Sequence, residues 1–185
     1  GEETTAEIGD NNTIRENVTI NRGTAAKGKT IVGSNNLLME GVHVAHDAII
    51  GSGCIIGNAT KMAGEIIIDD NAIISGAVLM HQFCHVGSHV MIQGGCRFSK
   101  DVPPYIVASD NPVKYGGVNT TILNNHGVSE KVQSHIANAY RLVFHGQTSV
   151  FDAVLQIKEQ VPDGEEIRHI IEFINGTKLG IISKL

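Results

Sequence analysis

Every sixth residue from Ile8 to Phe98 is apolar, through Ile14, Ile20, Ala26, Val32, Leu38, Val44, Ile50, Ile56, Met62, Ile68, Ile74, Met80, Val86 and Ile92. About half of an average chain is apolar, so such a run arises by chance roughly once in tens of thousands of tries. A six-residue period suits neither an α-helix, which repeats near 3.6, nor a hairpin strand, which alternates and then reverses. It suits a β-solenoid of hexapeptide units.

A second position carries the same message. Four residues beyond each apolar site stand small side chains such as Val18, Thr24, Thr30, Val42, Ala48, Cys54, Thr60, Ala72, Val78, Cys84, Val90 and Cys96. Only Asn12, Asn36 and the larger Ile66 depart from the pattern. Gly9, Gly33, Gly51, Gly57 and Gly87 follow the apolar site, where a corner is expected to use their freedom at positive φ. With three hexads per triangular coil, equivalent residues lie 18 apart and the run makes a little over five coils. The cysteines Cys54, Cys84 and Cys96 all fall on the small inward position, which predicts packing rather than redox or metal chemistry.

The repeat is expected to stop at Pro103-Pro104, because two prolines remove ladder donors. The chain therefore divides into a solenoid over 1–104, a linker over 105–128 and a helical module over 129–185. In that module Ser129 is placed to cap a helix closed by Gly146, Ser149 with Asp152 opens a second, and Glu165 to Ile174 forms a third ended by Asn175-Gly176. Three short amphipathic helices of this kind would cap the open end of a solenoid. Upstream coils are expected before Gly1, since a solenoid end needs a cap.

Composition narrows the functional classes. A net charge of −5 without a basic tract argues against nucleic-acid binding. No apolar run approaches the length of a membrane span and no signal peptide is visible, so a cytoplasmic protein without membrane insertion is expected. Only 4% of residues are aromatic and Trp is absent, which fits a narrow aliphatic interior.

Histidine is the chemically informative residue type, with nine present. In Gly41-Val42-His43-Val44-Ala45-His46-Asp47, alternation turns His43 outward and sets His46 near a corner. His46 with Asp47 supplies an imidazole and a neighbouring carboxylate, the minimum for a general base steadied by an acid. One coil on from His46 stands Gly64, and one further Gln82, about 10 Å away along the axis. His81, His85 and His89 follow in the next strands. Two chemistries can use this wall: a three-imidazole zinc site of the hexapeptide carbonic anhydrase type, or acyl transfer with a histidine base and no metal. A metal site wants histidines on registered rungs, whereas His46 stacks over Gly64 and Gln82, so position favours transfer.

The strings Ile8-Gly9-Asp10-Asn11-Asn12, Ile14-Arg15-Glu16-Asn17-Val18-Thr19-Ile20-Asn21-Arg22-Gly23-Thr24, Asn36-Leu37-Leu38-Met39, His43-Val44-Ala45-His46-Asp47, His81-Gln82-Phe83-Cys84, Asp101-Val102-Pro103-Pro104-Tyr105, Gly117-Val118-Asn119 and Ala137-Asn138-Ala139-Tyr140 resemble the acyl-carrier-protein UDP-N-acetylglucosamine O-acyltransferases of lipid A biosynthesis. The resemblance covers the whole chain. It implies a left-handed parallel β-helix with a C-terminal helical cap, assembled as a homotrimer with active sites between subunits. It also implies transfer of a 3-hydroxyacyl chain from acyl carrier protein to the 3-hydroxyl of UDP-N-acetylglucosamine. The donor is the carrier-protein thioester, and no metal or other cofactor is expected.

By the same resemblance His46 is the base and Asp47 its supporting acid, His43, His81, Gln82, Glu65 and Asn119 contact the acceptor, and Gly94 stands near the position that limits acyl length. Two of these segments depart from the pattern: Glu65 replaces a histidine, and Asn124-Asn125-His126 replaces a basic triplet expected to hold phosphates. An acidic carrier protein docking on a chain of negative net charge needs a local basic patch, for which Arg97, Lys100, Lys131 and Arg141 are candidates. The nearest alternative is the N-acyltransferase of the same pathway, which shares the helix and a histidine base. The strings around Arg15 and Asp101-Val102-Pro103-Pro104 lean to the O-acyltransferase.

Overall fold

The computed structural model describes residues 1–183, so the last two positions of the predicted module 129–185 lie outside the described residues. The chain winds through coils of three short strands each. The first coil holds β1 (Thr5–Ile8), β2 (Thr13–Ile14) and β3 (Thr19–Ile20), and the second β4 (Lys29–Val32), β5 (Leu37–Leu38) and β6 (His43–Val44). The third holds β7 (Ile49–Ile50), β8 (Ile55–Ile56) and β9 (Lys61–Met62), and the fourth β10 (Ile67–Ile68), β11 (Ile73–Ile74) and β12 (Leu79–Met80). The fifth holds β13 (His85–Val86), β14 (Met91–Ile92) and β15 (Arg97–Phe98), and beyond it come β16 (Ile106–Ser109) and β17 (Lys114–Val118).

Strands stack in parallel into three faces. The first face runs β1-β4-β7-β10-β13, the third β15-β12-β9-β6-β3, and the second runs from β2 through β5, β8, β11, β14 and β16 to β17. The result is a left-handed parallel β-helix. Apolar hexad positions line its axis: Leu38, Ile56, Ile74, Val86 and Ile92 are fully buried, with Cys54, Ala72, Val78, Cys84 and Val90 between them. Burial of each Ile or Leu contributes about 1.5–3 kcal/mol, so the column of repeated side chains is what holds the coils in register. Burial pushes the Cys54 thiol up to about 11 and the Cys84 thiol up to about 12, which leaves both as inert packing groups.

The two asparagines that break the small-residue pattern are corner fixtures. Asn36 Nδ2 donates to Gly51 O at 2.9 Å while its Oδ1 accepts from Cys54 N at 2.8 Å, and Asn12 does the same one coil earlier with Gly33 O and Asn36 N. They satisfy buried backbone groups that an apolar side chain would leave unpaired.

The glycines that follow the apolar sites serve closeness, not positive φ. A Cβ at Gly57 would lie 2.5 Å from Gly76 N, and one at Gly87 2.5 Å from Pro104 N. Adjacent coils touch there, backbone to backbone. Left-handed corners are occupied by Gly41 and Gly53, at φ 71° and 70°, and by Asn17, Asn35, Asp47, Glu65, Asn71, Phe83 and His89, with φ between 57° and 71°.

Successive coils are offset by 18 residues, as Ile49↔Ile67 and His43↔Lys61 show, except between the first and second, where Thr5 pairs with Lys29 and Thr19 with His43. One whole hexad is therefore inserted over 21–28. Ala26 belongs to this loop and is exposed, so its agreement with the apolar period is a coincidence of phase.

The stretch 105–128, expected as a linker, is ordered structure. Val102 bridges Val86, β16 pairs in parallel with β14, and β17 returns antiparallel to β16. Pro103 and Pro104 interrupt nothing because they occupy a corner, where no ladder donor is required. A short helix α1 (Thr120–Asn125) follows.

The expected helices are α2 (Glu130–Phe144), α3 (Val150–Gln160) and α4 (Glu165–Gly176). Ser129 accepts from Val132 N, and Ser149 accepts from Asp152 N while donating to the Asp152 carboxylate. The helices close over the fifth coil: Tyr140 donates from its hydroxyl to Pro104 O, and Phe173 packs against His85 at a 42° tilt with ring centroids 4.5 Å apart. The tail is tied down by Thr177 Oγ1 donating to Asp101 and by Ile182 N donating to Asp101 O.

Candidate active site

The corner between the third and first faces carries His46 and Asp47, between β6 and β7. Asp47 turns the chain in the left-handed region at φ 62°, which Asp tolerates better than most residues. Its amide donates to Thr30 Oγ1 at 2.8 Å. The corner aims the carboxylate inward, where its side chain is 0% exposed. A buried carboxylate requires partners, and three are present: Thr24 N at 2.8 Å, Thr24 Oγ1 at 2.6 Å and His46 Nδ1 at 2.8 Å. Burial works to raise the Asp47 carboxyl, but the bonds from the Thr24 hydroxyl, from His46 and from the Thr24 amide outweigh it, and the group is held below its ordinary value.

An ionised carboxylate only accepts, so the 2.8 Å contact places a proton on His46 Nδ1, and in the neutral ring this is the tautomer whose Nε2 carries the lone pair. The His46 side chain is 41% exposed, and no described residue bonds its Nε2. The ring lies against Gly64, where a side chain would collide with it. The rungs stack as the 18-residue spacing requires: Glu65 N donates to His46 O and Phe83 N to Gly64 O.

The remaining predicted residues spread over more than one corner. His43 lies outward on β6, its Nδ1 2.7 Å from Thr19 Oγ1 and its backbone paired with Lys61. His81 and half-buried Gln82 follow β12 at the His46 corner, and His81 Nδ1 is 3.3 Å from Gln82 O. Glu65 is half-buried in the same corner. Asn119 lies elsewhere. It caps α1, is 4% exposed, and donates from Nδ2 to His89 O at 3.1 Å, at the corner between the first and second faces. Gly94 sits at the third corner, where an added Cβ would meet Gly76 O at 3.2 Å. Among the described residues, no group of three His, Cys, Asp or Glu side chains converges as a metal site.

An apolar cavity of about 660 Å³ opens beside His81, walled by Ala63, Leu79, Met80, Phe98, Val113 and Ile182. Two of the four candidate cations, Arg97 and Lys100, line it, whereas Lys131 and Arg141 are exposed on α2. Sequence reasoning missed this cavity because Val113 and Ile181–Ser183 reach it from outside the repeat. It also missed Thr24, read as an inward packing residue, because the inserted hexad preserves the phase of the pattern.

Two family models match: "Bacterial transferase hexapeptide (six repeats)" over residues 29–64, and "Udp N-acetylglucosamine O-acyltransferase; Domain 2" over residues 101–182. The acyl-[acyl-carrier-protein]–UDP-N-acetylglucosamine O-acyltransferase of Myxococcus xanthus is 40% identical over 98% of this chain and 70% of its own length.

The chain belongs to the UDP-N-acetylglucosamine O-acyltransferase family.

The family member of the same name from Rhizobium rhizogenes is 42% identical over 94% of this chain and 65% of its own length, so the chain spans about two thirds of these relatives. A crystal structure of the UDP-N-acetylglucosamine acyltransferase of Bacteroides fragilis superposes with a TM-score of 0.97 at 64% identity, covering 98% of this chain and 71% of that one. Both named sequence relatives are O-acyltransferases, the reading that the strings around Arg15 and Asp101 favoured over the N-acyl alternative. No helix among the described residues is long and apolar enough to cross a membrane.

Proposed function

We propose that this chain transfers a 3-hydroxyacyl group from acyl carrier protein to the 3-hydroxyl of UDP-N-acetylglucosamine, the first step of lipid A biosynthesis, in the cytoplasm and as a homotrimer. One observation carries the assignment of the chemistry: an exposed imidazole has its Nδ1 tied at 2.8 Å to a buried carboxylate while Nε2 stays open. His46 Nε2 takes the proton of the sugar hydroxyl as the oxygen attacks the thioester carbonyl. The new C–O ester bond forms, the C–S bond breaks, and the imidazolium returns its proton to the departing pantetheine thiolate. Asp47 stabilises the imidazolium between these two transfers, as the acid of a triad does. The reaction so written requires no metal.

The apolar cavity next to His81 matches the chemistry of an acyl chain, and Arg97 and Lys100 beside it offer positive charge to an acidic carrier protein. His43, Glu65, His81 and Gln82 surround the base on the third face and its corner, where the acceptor sugar would lie. Asn119 and His46 sit at different corners of one protomer. That separation is what a cleft shared by neighbouring subunits of a trimer would bridge.

The test measures acyl transfer from 3-hydroxyacyl carrier protein to UDP-N-acetylglucosamine by the full chain and by its His46→Ala variant. Turnover that falls at least about a hundredfold in the variant is expected for loss of a general base. Absence of transfer by the folded, trimeric protein would overturn the assignment.

A further inference from the structure

We propose that Thr24 is a positioning residue for the acyl-transfer base: it clamps the Asp47 carboxylate so that His46 is held in the tautomer with Nε2 free. The inference rests on the reading of His46 as base, and it assigns a task to the one inserted hexad of the solenoid. The eight-residue loop 21–28 that carries it, together with the two extra leading residues of β4, stands where the next coil has a four-residue corner joining β6 to β7. It is closed on itself by Gly28 N donating to Thr24 O at 2.7 Å, and anchored to the first strand by Gly23 N donating to Thr5 O at 2.9 Å. Gly23 is buried and admits no side chain, because a Cβ there would meet the Gly28 carbonyl carbon at 2.6 Å. The loop is thereby held at one height above the next corner.

At that height Thr24 makes two bonds to one carboxylate. Its amide donates to Oδ1 at 2.8 Å and its hydroxyl to Oδ2 at 2.6 Å. The hydroxyl must be the donor, since the ionised Oδ2 only accepts, while Thr24 Oγ1 itself accepts from Ala26 N at 3.3 Å. Oδ2 is the same oxygen that accepts from His46 Nδ1. With both oxygens fixed, the carboxylate cannot rotate away from the imidazole, and it is kept ionised as an acceptor. A carboxylate so fixed admits only the Nδ1–H form of the ring. Among the described residues no hydrogen bond joins Thr24 to His46, and the bond they share is to Asp47 Oδ2, so Thr24 acts through Asp47.

The variants are Thr24→Val, which keeps the shape and the amide donor but removes the hydroxyl, and Thr24→Ser, which keeps both donors of the clamp. Ala26 N is exposed and takes water in the valine variant. Expected for Thr24→Val is a fall in kcat of about tenfold to a hundredfold, part of what a general base supplies, with acceptor KM unchanged within about twofold. Thr24→Ser should restore kcat to within a few-fold. Nitrogen-15 spectra of the His46 ring should show one tautomer, protonated at Nδ1, in the wild type and the serine variant, and a mixture in the valine variant.

Wild-type kcat and a single tautomer in Thr24→Val, beside an inactive His46→Ala, would overturn the clamp and leave the base in place. An active His46→Ala would overturn the base itself. Loss of kcat that serine does not rescue, with the tautomer unchanged, would reduce Thr24 to a packing role. If Thr24→Val does not fold, the wild-type hydroxyl proton decides: donated to a carboxylate at 2.6 Å it should be resolved and slow to exchange, and its absence would overturn the proposal.

Discussion

Gly64 is the seat of the His46 imidazole. A Cβ built on Gly64 would lie 2.5 Å from Cε1 and 2.6 Å from Nε2 of the ring, closer than any real carbon contact. The backbone of Gly64 is not in the left-handed region, so the site requires glycine for space alone. Gly64→Ala should therefore displace the ring without straining the coil. The expected result is a loss in kcat of about tenfold or more, because a base must stay within hydrogen-bond reach of the proton it removes. The melting temperature should fall only modestly, since the His46 side chain is 41% exposed and can swing outward while Asp47 keeps its two Thr24 donors. A variant with wild-type kcat would show that the ring works from another position.

Asp47 makes acid stability a readout of the same cluster. Burial raises its carboxyl and the Thr24 and His46 bonds lower it more, so the folded group titrates below its ordinary 3.8. Its contribution is then fully present above that value and is lost as pH falls through the lower folded value. The gap in melting temperature between wild type and Asp47→Asn should be constant from neutral pH down to about 4 and should narrow below it. A gap that stays constant at lower pH would mean that Asp47 is not ionised in the native state.

The solenoid was legible because its core repeats: one inward residue in six must be apolar on every coil, and the 18-residue register of Ile49↔Ile67 and Ile73↔Met91 follows from that alone. The helix caps at Ser129 and Ser149 were legible because side-chain capping is local. His46 and Asp47 were legible as adjacent residues at a corner. Thr24 was not, since a loop of one hexad leaves the phase intact and its partner lies 23 positions away. The segment 105–128 was misread because prolines in a corner look like a terminus in sequence, although they remove no bond from the ladder that Val102 continues.

His89 predicts a second pH effect, at the join between solenoid and helices. It faces His126 from α1, with ring centroids 4.8 Å apart, and Tyr105 at 5.6 Å, and its Nε2 lies 3.4 Å from Asn71 Nδ2. Burial lowers its ring from the ordinary 6.5, the charges of His126 and His169 lower it further, and Asp70 opposes them. The unfolded chain therefore takes up a proton just below 6.5 that the folded chain refuses, so stability falls as pH drops from 6.5 to the lower folded value and then levels off. His89→Asn, which keeps a residue suited to the left-handed φ of 57°, should flatten this limb in urea midpoints measured between about pH 5 and 7. An unchanged slope would assign the effect to the other histidines.

Ala63 offers a test of where the acyl donor would lie. It stands on the third face just after β9 and lines the 660 Å³ cavity beside His81 together with Leu79 and Phe98. Ala63→Phe would fill part of that space with a ring. If the cavity receives the acyl chain, long-chain 3-hydroxyacyl donors should lose kcat/KM by about tenfold or more, at roughly 0.8 kcal/mol for each methylene excluded. Short-chain donors should be nearly unaffected, because the base and its clamp lie outside the filled volume. A uniform loss across chain lengths would instead mean that the substitution disturbs His81 and the corner it belongs to, and that the chain lies along another surface.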